Sequence, residues 1–269
     1  MKRVIDLIDE ENNDNNNNNN NKKQKENIDV LDLIKTTHME HLTTVLNYKQ
    51  SSFSIGHAPD NIRPLIYACV RQVFEDNLTM YALPFDKYKK VGTHHRGIGT
   101  VALSSAINRT CSIQGTNMKP ETPSPEFAGL LQFVNLVVCK GDTHFNAVVI
   151  ETYKPEDYLN ADHLTKQNFS GHGGAIMIFV GMSRKMVLKH VTRQHADTVY
   201  EHYTDDCEIV NANGDFRKSI TFEIPAVSNA TPMMADSDAQ YRWKRELARK
   251  IDHKLDAPYM VSFTFRSIL

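Results

Sequence analysis

Beyond residue 36, apolar positions recur along the chain at two periods, one of about 3.6 residues and one of about two, and each predicts a different element. Residues 38–48 place Met39, Leu42, Val45 and Leu46 at helical intervals. Residues 60–77 do so more broadly through Ile62, Leu65, Ile66, Cys69, Val70, Val73 and Phe74, with Asp60 suited to the N-cap and Pro64 in a first turn that needs no amide hydrogen. Residues 79–85 read as a strand, and a small-residue apolar segment then runs toward Asn108. A short strand is expected at 110–114, an extended proline-bearing loop at 115–125 and a turn of helix at 127–131. Residues 133–139 and 144–152 are rich in Val, Leu and Ile and are joined by Lys140, Gly141, Asp142 and Thr143, which predicts a hairpin.

The acid-leaning segment 155–167 reads as helical. Residues 175–180 are apolar at every position, the mark of a central strand buried on both faces. A neighbouring strand follows at 186–191 and a helix at 192–203. Residues 207–210 and 216–224 form a second expected hairpin, with Ile220, Phe222 and Ile224 alternating with Ser219, Thr221 and Glu223. The last helix opens on Ser237 and Gln240, a capping-box pair, and sets Ala239, Trp243, Leu247, Ile251 and Leu255 on one side. Residues 259–268 close the chain as a strand, or as an arm that adds to a neighbouring subunit's sheet. The sum is an α+β chain: a mixed, largely antiparallel sheet with flanking helices behind a disordered N-terminal leader.

That leader is assigned to residues 1–35, because asparagines at 12, 13 and 15–21 and the cluster Lys22, Lys23, Gln24, Lys25 offer no apolar surface to offset the entropy of ordering. Residues 36–269 then form one domain. Cys69, Cys111, Cys139 and Cys207 are widely spaced and make no C-x-x-C pair, which reads as reduced thiols in an intracellular protein. No apolar run reaches membrane-spanning length, so no membrane partner is expected.

The net charge of -1, from 31 basic and 32 acidic residues, means that affinity for a polyanion must rest on local patches. One such patch runs from Lys87 to Lys119 without a single carboxylate; it holds Lys87, Tyr88, Lys89, Lys90, His94, His95, Arg96 and Arg109, with Gly92, Gly97 and Gly99 between them. Cations interleaved with aromatic rings suit a single strand, which needs charge along its phosphates and flat faces for its bases. A second acid-free region, 163–196, carries Arg184, Lys185, Lys189 and Arg193, and the last helix adds Arg242 and Arg245. Acidic residues gather instead at 151–162 and 197–208, an arrangement that suits self-association into a homo-oligomer. The histidines show no H-E-x-x-H or comparable ligand spacing, so neither metal nor cofactor is expected. His94, His195 and His202, the last two placed on one helix face, are the residues on which a histidine-dependent nucleotide phosphohydrolase or nuclease would depend.

The segments Asn61-Ile62-Arg63-Pro64, Leu83-Pro84-Phe85-Asp86-Lys87-Tyr88, Gly92-Thr93-His94-His95, Leu131-Gln132-Phe133-Val134-Asn135-Leu136-Val137-Val138 and Asp238-Ala239-Gln240-Tyr241-Arg242-Trp243-Lys244-Arg245-Glu246-Leu247 together resemble the baculovirus DNA-binding proteins. The resemblance implies sequence-independent single-stranded DNA binding and duplex destabilisation in viral DNA replication, self-association, residence in the host nucleus and contact with other replication proteins. It implies no catalytic residue. His195-Ala196-Asp197 with Val199-Tyr200 is similar to a short piece of the rotavirus viroplasm protein and supplies the enzymatic alternative. A structural virion protein is the third. The expectation is a non-enzymatic single-stranded DNA-binding protein.

Overall fold

The computed structural model describes residues 30–48, 51–75, 78–82, 97–102, 111–113, 116–141, 144–162, 174–191, 196–213, 220–227 and 237–267, and the chain is α+β. In order come α1 (Val30–Thr36), β1 (Thr43–Tyr48), β2 (Ser51–His57), α2 (Arg63–Phe74), β3 (Tyr81–Ala82), β4 (Gly97–Ala102), β5 (Cys111–Ile113), β6 (Thr116–Met118) and α3 (Pro125–Phe133), which a π-helical turn (Val134–Val138) extends. Then follow β7 (Ala147–Tyr153), β8 (Leu159–Asp162), β9 (Ala175–Gly181), β10 (Lys185–Val191), β11 (Ala196–Tyr203), β12 (Glu208–Asn213), β13 (Ile220–Ile224), α4 (Ser237–Lys250) and β14 (Met260–Arg266). An eight-stranded sheet runs β1-β2-β12-β9-β14-β7-β4-β3 and a four-stranded sheet runs β11-β10-β13-β8. The strand pairings within both are antiparallel.

Three layers result, because the large sheet is apolar on both faces. Ile176, Ile178 and Val180 of β9, with Val261, Phe263 and Phe265 of β14, pack under Leu65, Ile66, Cys69 and Val70 of α2, Phe127, Leu130 and Leu131 of α3, and Leu247 of α4. The alternate residues Met177 and Phe179 point the other way and meet Met186 and Leu188 of β10 and Ile220, Phe222 and Ile224 of β13. The continuous apolar run of β9 is therefore explained by its place between β12 and β14, with a core on each side.

Several expectations are corrected. Residues 38–48 give a coil and then β1, and residues 155–167 contain β8 where a helix was predicted. Of the segment 192–203, expected to be helical, the described residues 196–203 form β11, whose Val, Thr and Tyr content suits a pleated edge. Residues 133–139 continue α3 as the π-helical turn, fixed by Asn135, whose amide donates to the Phe145 carbonyl at 2.9 Å while its oxygen accepts the Phe145 amide at 2.8 Å. β12 and β13 make no hairpin; they belong to different sheets. β14 pairs with β7 and β9 of its own sheet, not with a neighbour's. Residues 30–35, assigned to the leader by their composition, belong with Thr36 to α1, whose Ile34 is buried in the helix-side core.

At the end of β9 the chain turns through Gly181 with φ +91, a conformation that L side chains rarely adopt. A Cβ there would lie 2.5 Å from the Tyr259 carbonyl oxygen. Gly181→Ala is expected to cost about 2 kcal/mol or more, because strain and a backbone clash add; a thermal melt reads the loss directly. The Gly181 amide also donates to Asp206 Oδ1 at 2.8 Å, and Asp206 Oδ2 accepts from Tyr67 at 2.7 Å and from Lys250 at 2.6 Å. That one carboxylate ties α2, α4 and the β9 turn together.

Candidate functional site

The parity of β4, β7 and β14 sorts polar from apolar. Val101, Val148, Ile150, Val261, Phe263 and Phe265 belong to the helix-side core, so Thr100, Glu151, Ser262, Thr264 and Arg266 face the side of the small sheet. In the ladder Ser262 stands opposite Glu151, while Val149 has Thr264 on one flank and Thr100 on the other. Ser262, Thr264, Thr100 and Arg266 are buried, the guanidinium residue at 9% exposure. Thr100 Oγ1 is buried without a hydrogen-bond partner, a condition that costs about 1–3 kcal/mol unless a polar ligand relieves it. Glu151 accepts from the Tyr153 hydroxyl at 3.0 Å. A polar floor with one buried cation thus interrupts an otherwise apolar sheet face.

At the other end of the large sheet a cavity of about 620 Å³ opens between β1, β2 and β12 and the edge strand β11. Its wall includes His57, Arg63, Tyr200, His202 and Glu208. The Glu208 side chain is 1% exposed and meets His202 Nε2 at 2.7 Å. Since a carboxylate only accepts, Nε2 carries the hydrogen and Nδ1 is the basic atom of the neutral ring. The Tyr200 ring stacks on His202 at 6.1 Å, and burial, followed by the charge of Glu208, holds the Tyr200 hydroxyl above its usual pKa. His57 Nε2 lies 3.3 Å from Asp205 Oδ2.

The residues chosen from sequence do not converge. Lys87, Tyr88, Lys89, Lys90, His94, His95, Arg96, Arg109 and Arg193 lie outside the described residues. Arg184 cannot touch a phosphate: it is fully buried, and its guanidinium donates to the carbonyls of Lys154, Asp157 and Pro225 at 2.7, 2.6 and 2.7 Å. Lys185 is held by Glu201 at 2.8 Å and Lys189 by Glu223 at 2.7 Å. Both acids come from strands paired with β10, so a stretch free of carboxylates in sequence is not free of them in space. Arg242 and Arg245 are exposed on α4. His202 sits on a strand, not on a helix, and His195 lies outside the described residues. Its partner Glu208 was missed, although an acid opening the apolar run Ile209-Val210 was a usable signal.

No family model matches the chain, and no curated protein matches it in sequence. Solved structures do match. That of OsALKBH1 aligns with a TM-score of 0.52 at 12% identity, over 82% of this chain and 99% of that one. A crystal structure of an oxidoreductase of the 2OG-Fe(II) oxygenase family from Burkholderia pseudomallei aligns at 0.44 and 10%, over 79% and 84%, too loosely to carry an argument. At such identities the likeness is one of fold alone. The fold likeness to OsALKBH1 nevertheless overturns the expectation of a non-enzymatic single-stranded DNA-binding protein.

Non-haem Fe(II) oxygenases in general hold iron with two histidines and a carboxylate on one open face. Among the described residues no three His, Cys, Asp or Glu groups converge to hold a metal. Leu159, Met186, Leu188, Phe222 and Met260 fill the space between the sheets. The described residues do not fit the iron, and an iron site in this chain would need ligands from beyond them.

Proposed function

We propose that the chain is an oxidative enzyme of the oxygenase type that acts on nucleic acid. The observation that carries this reading is a polar floor on one sheet face, where the unpartnered Thr100 hydroxyl lies with Ser262, Thr264 and the buried Arg266, itself already engaged within the chain. A dicarboxylate such as 2-oxoglutarate is the class of molecule for such a floor, since a guanidinium offers two parallel N–H donors to one carboxylate. The hydroxyls then serve its remaining oxygens. Nucleic acid as substrate is supported by the cationic, aromatic-bearing and acid-free stretch from Lys87 to Lys119.

Incubation of the full chain with Fe(II), ascorbate, 2-oxoglutarate and oligonucleotides, with succinate measured by mass spectrometry, tests the proposal. Protein-dependent succinate is expected, and Arg266→Lys, which keeps the charge but loses the fork, should raise KM for 2-oxoglutarate about tenfold. A cooperatively folded chain that releases no succinate above the protein-free control removes the oxidative reading.

A further inference from the structure

We propose that the solvent face of α4 is a docking strip for a nucleic acid strand, with Arg242 and Arg245 on its phosphates and Tyr241 against a base. The inference rests on nucleic acid being the substrate and names the surface that would hold it away from the polar floor.

The cations of α4 divide into two groups. Lys250 is spent on Asp206 and lies over the Tyr67 ring, and Lys244 donates to the Asp256 carbonyl at 2.9 Å. Arg249 is engaged as well. Arg242 and Arg245 are exposed and have no carboxylate partner among the described residues, although Glu246 is exposed on the same stripe. A solvated helix face ordinarily closes such charges into pairs one turn apart. Here two arginines are left open beside Tyr241, at 63% the most exposed large ring among the described residues.

The Arg245 guanidinium sits over that ring, 6.0 Å from its centroid. A stacked guanidinium keeps its N–H edge free for a phosphate, and the opposite ring face stays open to a base. The strip is also rigid from beneath: Leu247 and Ile251 are buried in the helix-side core, and Trp243 packs against the core between the sheets. Little ordering is left for binding to impose. Positive charge, a free aromatic face and a fixed spacing together fit a polyanion with accessible bases better than an acidic peptide, which would have no use for the ring.

Fluorescence anisotropy with a labelled single-stranded oligonucleotide, repeated over a salt series, tests the strip on the full chain. Arg242→Glu with Arg245→Glu should weaken binding by at least about tenfold and flatten the salt slope by about 1.4, two phosphates at about 0.7 each. Tyr241→Ala should weaken binding by about tenfold without altering the slope. Lys140→Glu, a reversal at an exposed turn, controls for net charge. Equal losses in that control, an unchanged slope in the double variant, or no binding by the native chain at low salt would each overturn the proposal. Succinate release without oligonucleotide should be the same in all variants, so failure of the strip is separable from failure of the oxidative reading.

Discussion

Arg184→Met is expected to remove about 3 kcal/mol or more of folding stability, through the junction between the two sheets. The reason is connectivity. Arg184 lies in the short turn between β9 and β10, and its guanidinium reaches the carbonyls of Lys154 just beyond β7, Asp157 just before β8, and Pro225 just beyond β13. Its own amide donates to Thr204 Oγ1 at 2.9 Å, and its carbonyl accepts from the Thr204 amide at 2.9 Å. Burial pulls the guanidinium pKa down to about 10, far enough above neutrality for charge and donors to persist. Methionine fills much of the volume but leaves three carbonyls facing apolar surroundings. Arg184→Lys should recover only part of the loss, since one ammonium cannot replace a fork that spans separate acceptors. Urea denaturation of the three proteins gives the ranking; a Met variant as stable as the native chain would show that water takes over all three carbonyls.

Phe179→Ala is expected to cost about 3–5 kcal/mol, the range for deleting a buried phenyl ring. Phe179 is 1% exposed and stacks on Phe222 across the gap between the sheets, with centroids 6.4 Å apart and planes 20° from parallel. Removing it takes contacts from both sheets at once and leaves a cavity that neither β9 nor β13, fixed by ladders on both sides, can collapse to fill. A fall in the urea midpoint at constant m-value identifies lost packing; a fall in m-value as well would mean that the small sheet separates before the large one.

The elements legible in the sequence are those whose apolar period is enforced by burial on more than one side. α2 and α4 carry broad stripes because they roof the large sheet, and β9 and β10 read plainly because they sit inside their sheets. Edge elements misled. β11 borders solvent, and its mixture of Asp197, Thr198, Glu201 and His202 passes equally for an amphipathic helix. Residues 133–139 look β-branched enough for a strand, yet a helix begun by the Ser124 cap and Pro125 runs on through them. The floor of Thr100, Ser262, Thr264 and Arg266 was half visible, as polar residues alternating with Val261, Phe263 and Phe265; what could not be seen was that β4 and β14 both flank β7. Ion pairing failed for the same reason, since Glu201 and Glu223 reach Lys185 and Lys189 only through strand registers.

β14 occupies the middle of the large sheet, between β9 and β7, yet it comes after the other described strands in sequence. Until residue 266 has emerged, the sheet exists as two halves, β1-β2-β12-β9 and β7-β4-β3, each with a raw inner edge of unpaired amides and carbonyls. The large sheet therefore gains its central registers only by closing contacts across long sequence distances, which is slow. Before β14 docks, those two inner edges are the surfaces through which partly folded copies would pair with one another.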